Sequence, residues 1–245
     1  VSSIQHLVVV LPAHNEAERI RALLASVRES SATLARHRPA VGVRVFVVAD
    51  GCTDTTAAIA GASGAEVLER HRCGVGAARA TGIAHALASA SVPAERLWIA
   101  NTDADSIVPS DWLLTHVTQG CDYDALLGTV RPHPADLTAA AYKRWQRSSA
   151  KEEQVGSIHG ANLGVRASAY LAAGGFGSES VHEDVLLVHR LRASGAKVGA
   201  TADGEVVTSG RRNNRVIGGY GGYLHAHVGQ ADATAVPDRL LTHAE

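Results

Sequence analysis

The sequence predicts an α/β protein built on a doubly wound, mostly parallel central sheet with helices on both faces. Short apolar runs rich in Val, Leu and Ile alternate, through the first half of the chain, with segments of helical periodicity, the order that a parallel sheet requires. At 245 residues, with 46% hydrophobic and 19% charged residues, the chain can bury a full core, and one large domain suits it better than two. An acidic pair, Asp103 and Asp105, directly follows the apolar run Leu97-Trp98-Ile99-Ala100. Ligands of open α/β sheets gather beyond the carboxyl ends of strands, which is where this pair falls.

Leu7-Val8-Val9-Val10-Leu11 is a β-rich run, and Pro12 is expected to end it because proline offers no ladder donor. Asn15 followed by Glu18 has the spacing of a capping box, and Ile20, Leu23, Leu24 and Val27 fall at i, i+3, i+4 and i+7 of an amphipathic helix. Residues 43–48 read as a second strand broken by Asp50-Gly51, after which Asp54 opens a short Ala-rich helix. Residues 64–68 read as a third strand. Arg72-Cys73-Gly74-Val75-Gly76 leads into a helix over 77–87, and 97–100 is the fourth strand.

The second half is less regular. A strand is expected over 125–130, a helix over 139–151 with Tyr142 and Trp145 on its apolar side, and a strand within 156–166. A short helix over 168–172 ends at Gly174-Gly175, a helix over 185–193 closes at Gly195, and 197–200 is a short strand. Residues 211–222, rich in Arg, Asn and Gly, are expected to be mobile. No repeat or linker divides the chain, so 1–106, 107–210 and 211–245 are expected to be parts of one domain.

A net charge of -1 gives no global basic field to gather nucleic acid. The three cysteines, Cys52, Cys73 and Cys121, show no metal-ligand spacing and are expected to be small buried residues in a reducing compartment. No run approaches the roughly 18 apolar residues that span a bilayer. A cytoplasmic protein is expected, with peripheral contact to a membrane-bound substrate left open. Aromatic residues are 4%, so the core must rely on aliphatic side chains.

Carboxylates two apart on extended backbone project to one side, so Asp103 and Asp105 would face one point. Mg²⁺ or Mn²⁺ suits such a place, taking one or two carboxylates and completing its shell with water and phosphate oxygens. The bland alternative is a turn or a helix cap. Asp122-Tyr123-Asp124 has the same spacing but precedes its apolar run, and reads as an ordinary loop.

Several stretches, in order, resemble the family 2 glycosyltransferases of the GT-A, Rossmann-like fold: Pro12-Ala13-His14-Asn15-Glu16, Ala49-Asp50-Gly51-Cys52-Thr53-Asp54, Gly76-Ala77-Ala78-Arg79, Asp103-Ala104-Asp105, Gly160-Ala161-Asn162, Gly174-Gly175-Phe176 and Glu183-Asp184. The resemblance implies that Pro12, Ala13 and Glu16 lie along the nucleoside and that Asp50 accepts from a ring N–H of the base, the alternative for both acids being helix caps. Ala49 replaces the first acid of the family's usual Asp-Asp pair, which leaves base choice open.

By the same resemblance, Gly76 and Arg79 pass close to the nucleotide, Asp103 meets ribose or metal, and Asp105 meets metal. Arg79 as a surface helix residue is the alternative. Asp184 matches the catalytic base, with Glu183 and His182 orienting it or touching the acceptor; a helix N-cap is the alternative. Gly160, Ala161 and Asn162 would form the floor under the donor sugar, with Asn162 donating to a sugar hydroxyl, or simply end a strand. Arg211 and Arg212 would clamp the diphosphate, or lie in a solvated loop. His225 and His227 are weaker candidates for the metal shell.

The implied activity is metal-dependent transfer of a sugar, with inversion, from a nucleoside diphosphate donor to an unidentified hydroxyl acceptor, UDP being favoured over GDP. A sugar-phosphate nucleotidyltransferase and a non-catalytic nucleotide-sugar-binding module are the rivals. The Gly-rich basic loop expected of the first is absent after strand one, and the intact Asp103, Asp105 and Asp184 speak against the second.

Overall fold

The computed structural model describes residues 3–148, 155–177 and 182–211, together with Leu224. Among these, strands β1 (His6–Ala13), β2 (Gly42–Asp50), β3 (Glu66–Arg70), β4 (Leu97–Asn101), β5 (Ala125–Pro132), β6 (Leu163–Arg166) and β7 (Val198–Thr208) form one sheet in the order β3-β2-β1-β4-β6-β5-β7. The first four strands run parallel, β6 is antiparallel to both β4 and β5, and β7 returns parallel to β5. Helices α1 (Ile20–His37), α2 (Thr56–Ala62), α3 (Val75–Ala88), α4 (Trp112–Gln119), α5 (Ala139–Ser148), α6 (Ala167–Ala172) and α7 (Glu183–Ala193) complete the fold.

Strand alternation decides which helix packs where. Leu7, Val9 and Leu11 share one sheet face with Ile20, Leu23, Leu24 and Val27 of α1, Ala60 of α2 and Trp112, Leu113 and Val117 of α4. Val8 and Val10 face the other way, onto Ile83 and Ala86 of α3, Tyr170 of α6 and Leu187, Val188 and Leu191 of α7. Each fully buried aliphatic side chain contributes about 1.5–3 kcal/mol relative to exposure, so both layers bind the sheet firmly. Gly82 lets α3 close on the sheet, since a Cβ there would stand 2.7 Å from Val10.

The chain passes from β1 outward to β2 and β3, then crosses back to place β4 on the other flank of β1. The crevice between the carboxyl ends of β1 and β4 is therefore the topological switch point. Because β6 runs antiparallel, its start also lies at that edge, with Leu163 opposite Asn101. β5 and β7 deliver their own exits to the same side.

Local expectations meet several corrections. Pro12 lies inside β1, paired in register with Val48, because β4 matches β1 only as far as Val10 and proline is tolerated where one flank has no partner. The Asn15 capping box does not form: Asn15 takes φ 52° and its Oδ1 accepts from the Thr53 backbone N–H, while α1 starts later, at Ile20. Helix α4 and the second half of β7 have no counterpart among the expected elements. In β7, Ala202, Asp203 and Gly204 (φ 69°) have little strand propensity, and the pairing with β5 shifts register there. Cys73 and Cys121 are exposed, not buried, and all three thiols are free. No helix among the described residues is long and apolar enough to cross a membrane.

Candidate active site

Arg79 projects from α3 and is 2% exposed. One of its amino groups donates to Asp103 Oδ1 at 2.6 Å and the other to Glu183 Oε1, so β4 and α7 are joined through one guanidinium. Burial opposes its charge, but Asp103, Glu183 and Asp184 outweigh burial and raise its pKa. Lost hydration pushes the Asp103 carboxyl up, Arg79 pulls it down, and Asp105 and Glu183 push it up again, leaving it at about 6. Gly160 makes the arrangement possible, since a Cβ there would lie 2.6 Å from the Arg79 guanidinium.

The Gly160 N–H donates to Asp184 Oδ2 at 2.7 Å, and Asp184 Oδ1 accepts from the Val185 N–H at 2.8 Å. Asp184 thus sits in the first turn of α7 with its carboxylate held by two backbone donors, and each oxygen keeps a further lone pair. Glu183 is buried and committed to Arg79, which leaves Asp184 the more available carboxylate. His159 lies close by; burial lowers its pKa against the pull of Asp184.

At the end of β2, Asp50 is buried. Its Oδ1 accepts from the Cys73 N–H at 2.8 Å and Oδ2 from the Gly74 N–H at 3.0 Å, so the turn before α3 folds over it. The Cys73 thiol, raised to about 11 by desolvation and by Asp50, also donates to Oδ1. Gly51 at φ 66° admits this close return, a Cβ there meeting Arg72 at 2.8 Å. His14 Nδ1 lies 2.7 Å from the Asp50 carbonyl oxygen and its Nε2 contacts Arg72. Pro12 and Ala13 are buried at the β1 exit, and Gly76 is buried in the first turn of α3.

Across the crevice, Arg211 Nη2 donates to both oxygens of Glu16, at 2.8 and 2.7 Å, and to Asp105 Oδ2 at 3.0 Å. The approach follows from an antiparallel bridge between Ile107 and Val207, which carries the Asp105 turn alongside the exit of β7. Ser106 Oγ and Thr208 Oγ1, 3.0 Å apart, reinforce it.

Asn162 corrects one expectation. It is buried, its amide hydrogens go to the carbonyls of Thr129 at 2.9 Å and Gly204 at 3.0 Å, and its Oδ1 accepts from Trp112 Nε1 at 2.9 Å. No amide hydrogen remains for a sugar hydroxyl, and the residue stitches β5, β7 and α4 together. Arg212, His225 and His227 lie outside the described residues. Arg19 and Asp136, which bound the Arg211 side of the crevice, carried no local signal: they meet across 117 positions.

The family model described as "Glycosyl transferase family 2" matches residues 8–167. Among solved structures, Staphylococcus aureus TarS 1-349 in complex with UDP-GlcNAc aligns over 85% of this chain and 60% of its own, at 14% identity and TM-score 0.60. A mannosyltransferase from Pyrobaculum calidifontis, PcManGT, in complex with GDP-Man and Mn²⁺, aligns over 87% of this chain and 59% of its own, at 18% identity and TM-score 0.61. A mycobacterial protein aligns over 91% and 71%, at 20% identity and TM-score 0.57. The chain spans about 60% of the length of the first two. A search of curated proteins gave no significant match.

Proposed function

The chain belongs to glycosyl transferase family 2, and on that premise we propose that it is a glycosyltransferase that moves a sugar from a nucleoside diphosphate donor to a hydroxyl acceptor with inversion. UDP is the favoured carrier and GDP the alternative; the TarS structure is a complex with UDP-GlcNAc and the PcManGT structure one with GDP-Man. The observation that carries this reading is Arg79, which gathers Asp103 and Glu183, with Asp184 beside it, at the switch point of the sheet.

In this reading Asp50 accepts a base N–H through a free lone pair, and Pro12, Ala13, Glu16 and Gly76 border the nucleoside. Asp184 takes the proton of the acceptor hydroxyl while that oxygen attacks the anomeric carbon, and the diphosphate leaves on the opposite face. Gly160 orients Asp184 through its N–H. Arg211, with Arg212, grips the diphosphate by charge-assisted hydrogen bonds.

Among the described residues no cluster of three or more His, Cys, Asp or Glu side chains is arranged to hold a metal. Asp103 and Asp105 nevertheless suit Mg²⁺ or Mn²⁺, which needs only one or two carboxylates beside phosphate oxygens and water. Asp105 is close enough to raise the pKa of Asp103. The charge balance points the same way. Among the described residues of these ion-pair networks, Glu16, Asp103, Asp105, Asp136, Glu183 and Asp184 stand against Arg19, Arg79 and Arg211, a poor receptor for a diphosphate unless a cation is added. Such a cation would supply neutralisation of the charge that develops on the leaving diphosphate.

Calorimetric titration of UDP and GDP, with and without Mn²⁺, on the unaltered protein and on Asp105→Ala tests the reading. One diphosphate binding with metal, and losing that metal dependence in the variant, is the expected result. Absence of binding by either nucleotide under both conditions overturns it.

A further inference from the structure

Three remote pieces of the chain meet beside Arg211 in a polar knot. Asp136, in the turn after β5, receives both amino groups of Arg19, at 2.8 and 2.6 Å, from the residue preceding α1. The same carboxylate accepts from the Gly210 N–H at 2.9 Å and the Ser209 hydroxyl at 3.3 Å. Ser209 Oγ in turn accepts from the Arg211 N–H at 3.2 Å and from Arg211 Nε at 3.0 Å, with Arg19 Nη1 at 3.4 Å. Arg211 is near enough to Arg19 to oppose its charge, and the Asp136 carboxylate, which holds Arg19 and through Ser209 and Gly210 the backbone leading to Arg211, offsets that repulsion.

The consequence falls on Asp105. The Ile107–Val207 bridge brings the two segments together, and Ser209 then holds the Arg211 backbone N–H and Nε, leaving Nη2 to lie between Glu16 and Asp105. That guanidinium stands on the carboxylate to which the proposed function assigns the divalent cation.

We propose that Asp136, with Arg19 and Ser209, is a positioning group that latches Arg211 onto Asp105, so that Arg211 and a divalent cation compete for this one carboxylate. Arrival of the cation turns Arg211 off Asp105 and toward the diphosphate, which couples metal binding to the grip on the donor. The inference rests on the proposed donor site for the second step, while the competition itself needs no nucleotide.

Mn²⁺ alone is therefore the probe, titrated calorimetrically into the nucleotide-free protein. Arg211→Gln, Asp136→Asn and Ser209→Ala are each expected to tighten Mn²⁺ about three- to tenfold, the modest range fitting a half-exposed ion pair. The double variant Asp136→Asn/Arg211→Gln is expected to bind Mn²⁺ no more tightly than Arg211→Gln alone, because one residue acts through the other. Ser209→Ala leaves the Arg19–Asp136 pair whole, so it reads the relay even where loss of that pair lowers the melting temperature. In the second step, the same variants are expected to weaken UDP or GDP binding in saturating Mn²⁺. Mn²⁺ affinity unchanged in all three single variants, or additive effects in the double variant, overturns the latch. If the variants tighten Mn²⁺ while neither nucleotide binds any of the proteins, the latch stands and the donor reading fails.

Discussion

With Arg79 replaced by Gln, Asp103 and Glu183 would face one another without a counter-charge, Glu183 being almost fully buried. Breaking a buried pair by removing one partner typically costs about 3–5 kcal/mol, and Arg79→Gln is expected to lower the thermal midpoint accordingly and to abolish transfer. Arg79→Lys would keep a charge but not the fork that reaches two carboxylates, and is expected to recover only part of the stability. Asp103 gives a pH signature. Its folded pKa of about 6 lies above the unfolded value near 3.8, so the folded state holds the proton more tightly and loses stability as pH rises between the two values. Relative to Asp103→Asn, the unaltered protein is expected to lose stability from about pH 4 to pH 6 and to change little above that. Parallel melting curves of the two proteins across this range check the sign.

Within single elements, two small residues separate positioning from packing. Gly160, in the turn before β6, touches Arg79 on one side and Asp184 on the other. Gly160→Ala is expected to push the guanidinium off its partners, costing about 1–3 kcal/mol of overpacking. The shift should reduce turnover by about 100-fold, as expected for catalytic groups displaced by about 1 Å. Steady-state rates alongside melting curves measure both. Asn162, two residues on, should behave oppositely. Asn162→Ala strands Trp112 Nε1 and the carbonyls of Thr129 and Gly204, each unsatisfied group costing about 1–3 kcal/mol, so its penalty falls on stability. The donor KM of whatever protein remains folded is expected to be unchanged, and a selective rise in that KM would restore a sugar-binding role.

Over the whole molecule, β6 is the piece that makes one sheet from two halves. It pairs with β4 on one edge and β5 on the other, and Asp136 clasps Arg19 across the same divide. A chain tied this way is expected to unfold in one cooperative step. Tryptophan fluorescence, which reports on Trp98, Trp112 and Trp145, and far-ultraviolet dichroism should give coincident denaturation curves. Separated midpoints would mean that residues 1–106 form a unit of their own.

Periodicity made much of this legible beforehand. The apolar runs of β1, β2 and β4 and the i, i+3, i+4, i+7 face of α1 are local patterns, and local backbone geometry converts them directly into elements. Strand exits then placed Asp50, Asp103 and Asp105 at one edge, because a parallel sheet sends every such exit to the same side. Partners were a different matter. That Arg79 is buried between Asp103 and Glu183, that Asn162 spends its amide on the sheet, and that Arg19 and Asp136 converge on Ser209 beside Arg211 all depend on contacts between residues far apart in the chain. Side-chain identity fixes what a group can donate or accept, and the sequence alone determined that. Only the tertiary structure decided which group lies within 3 Å, because the antiparallel insertion of β6 and the Ile107–Val207 bridge bring together segments that have no local reason to meet.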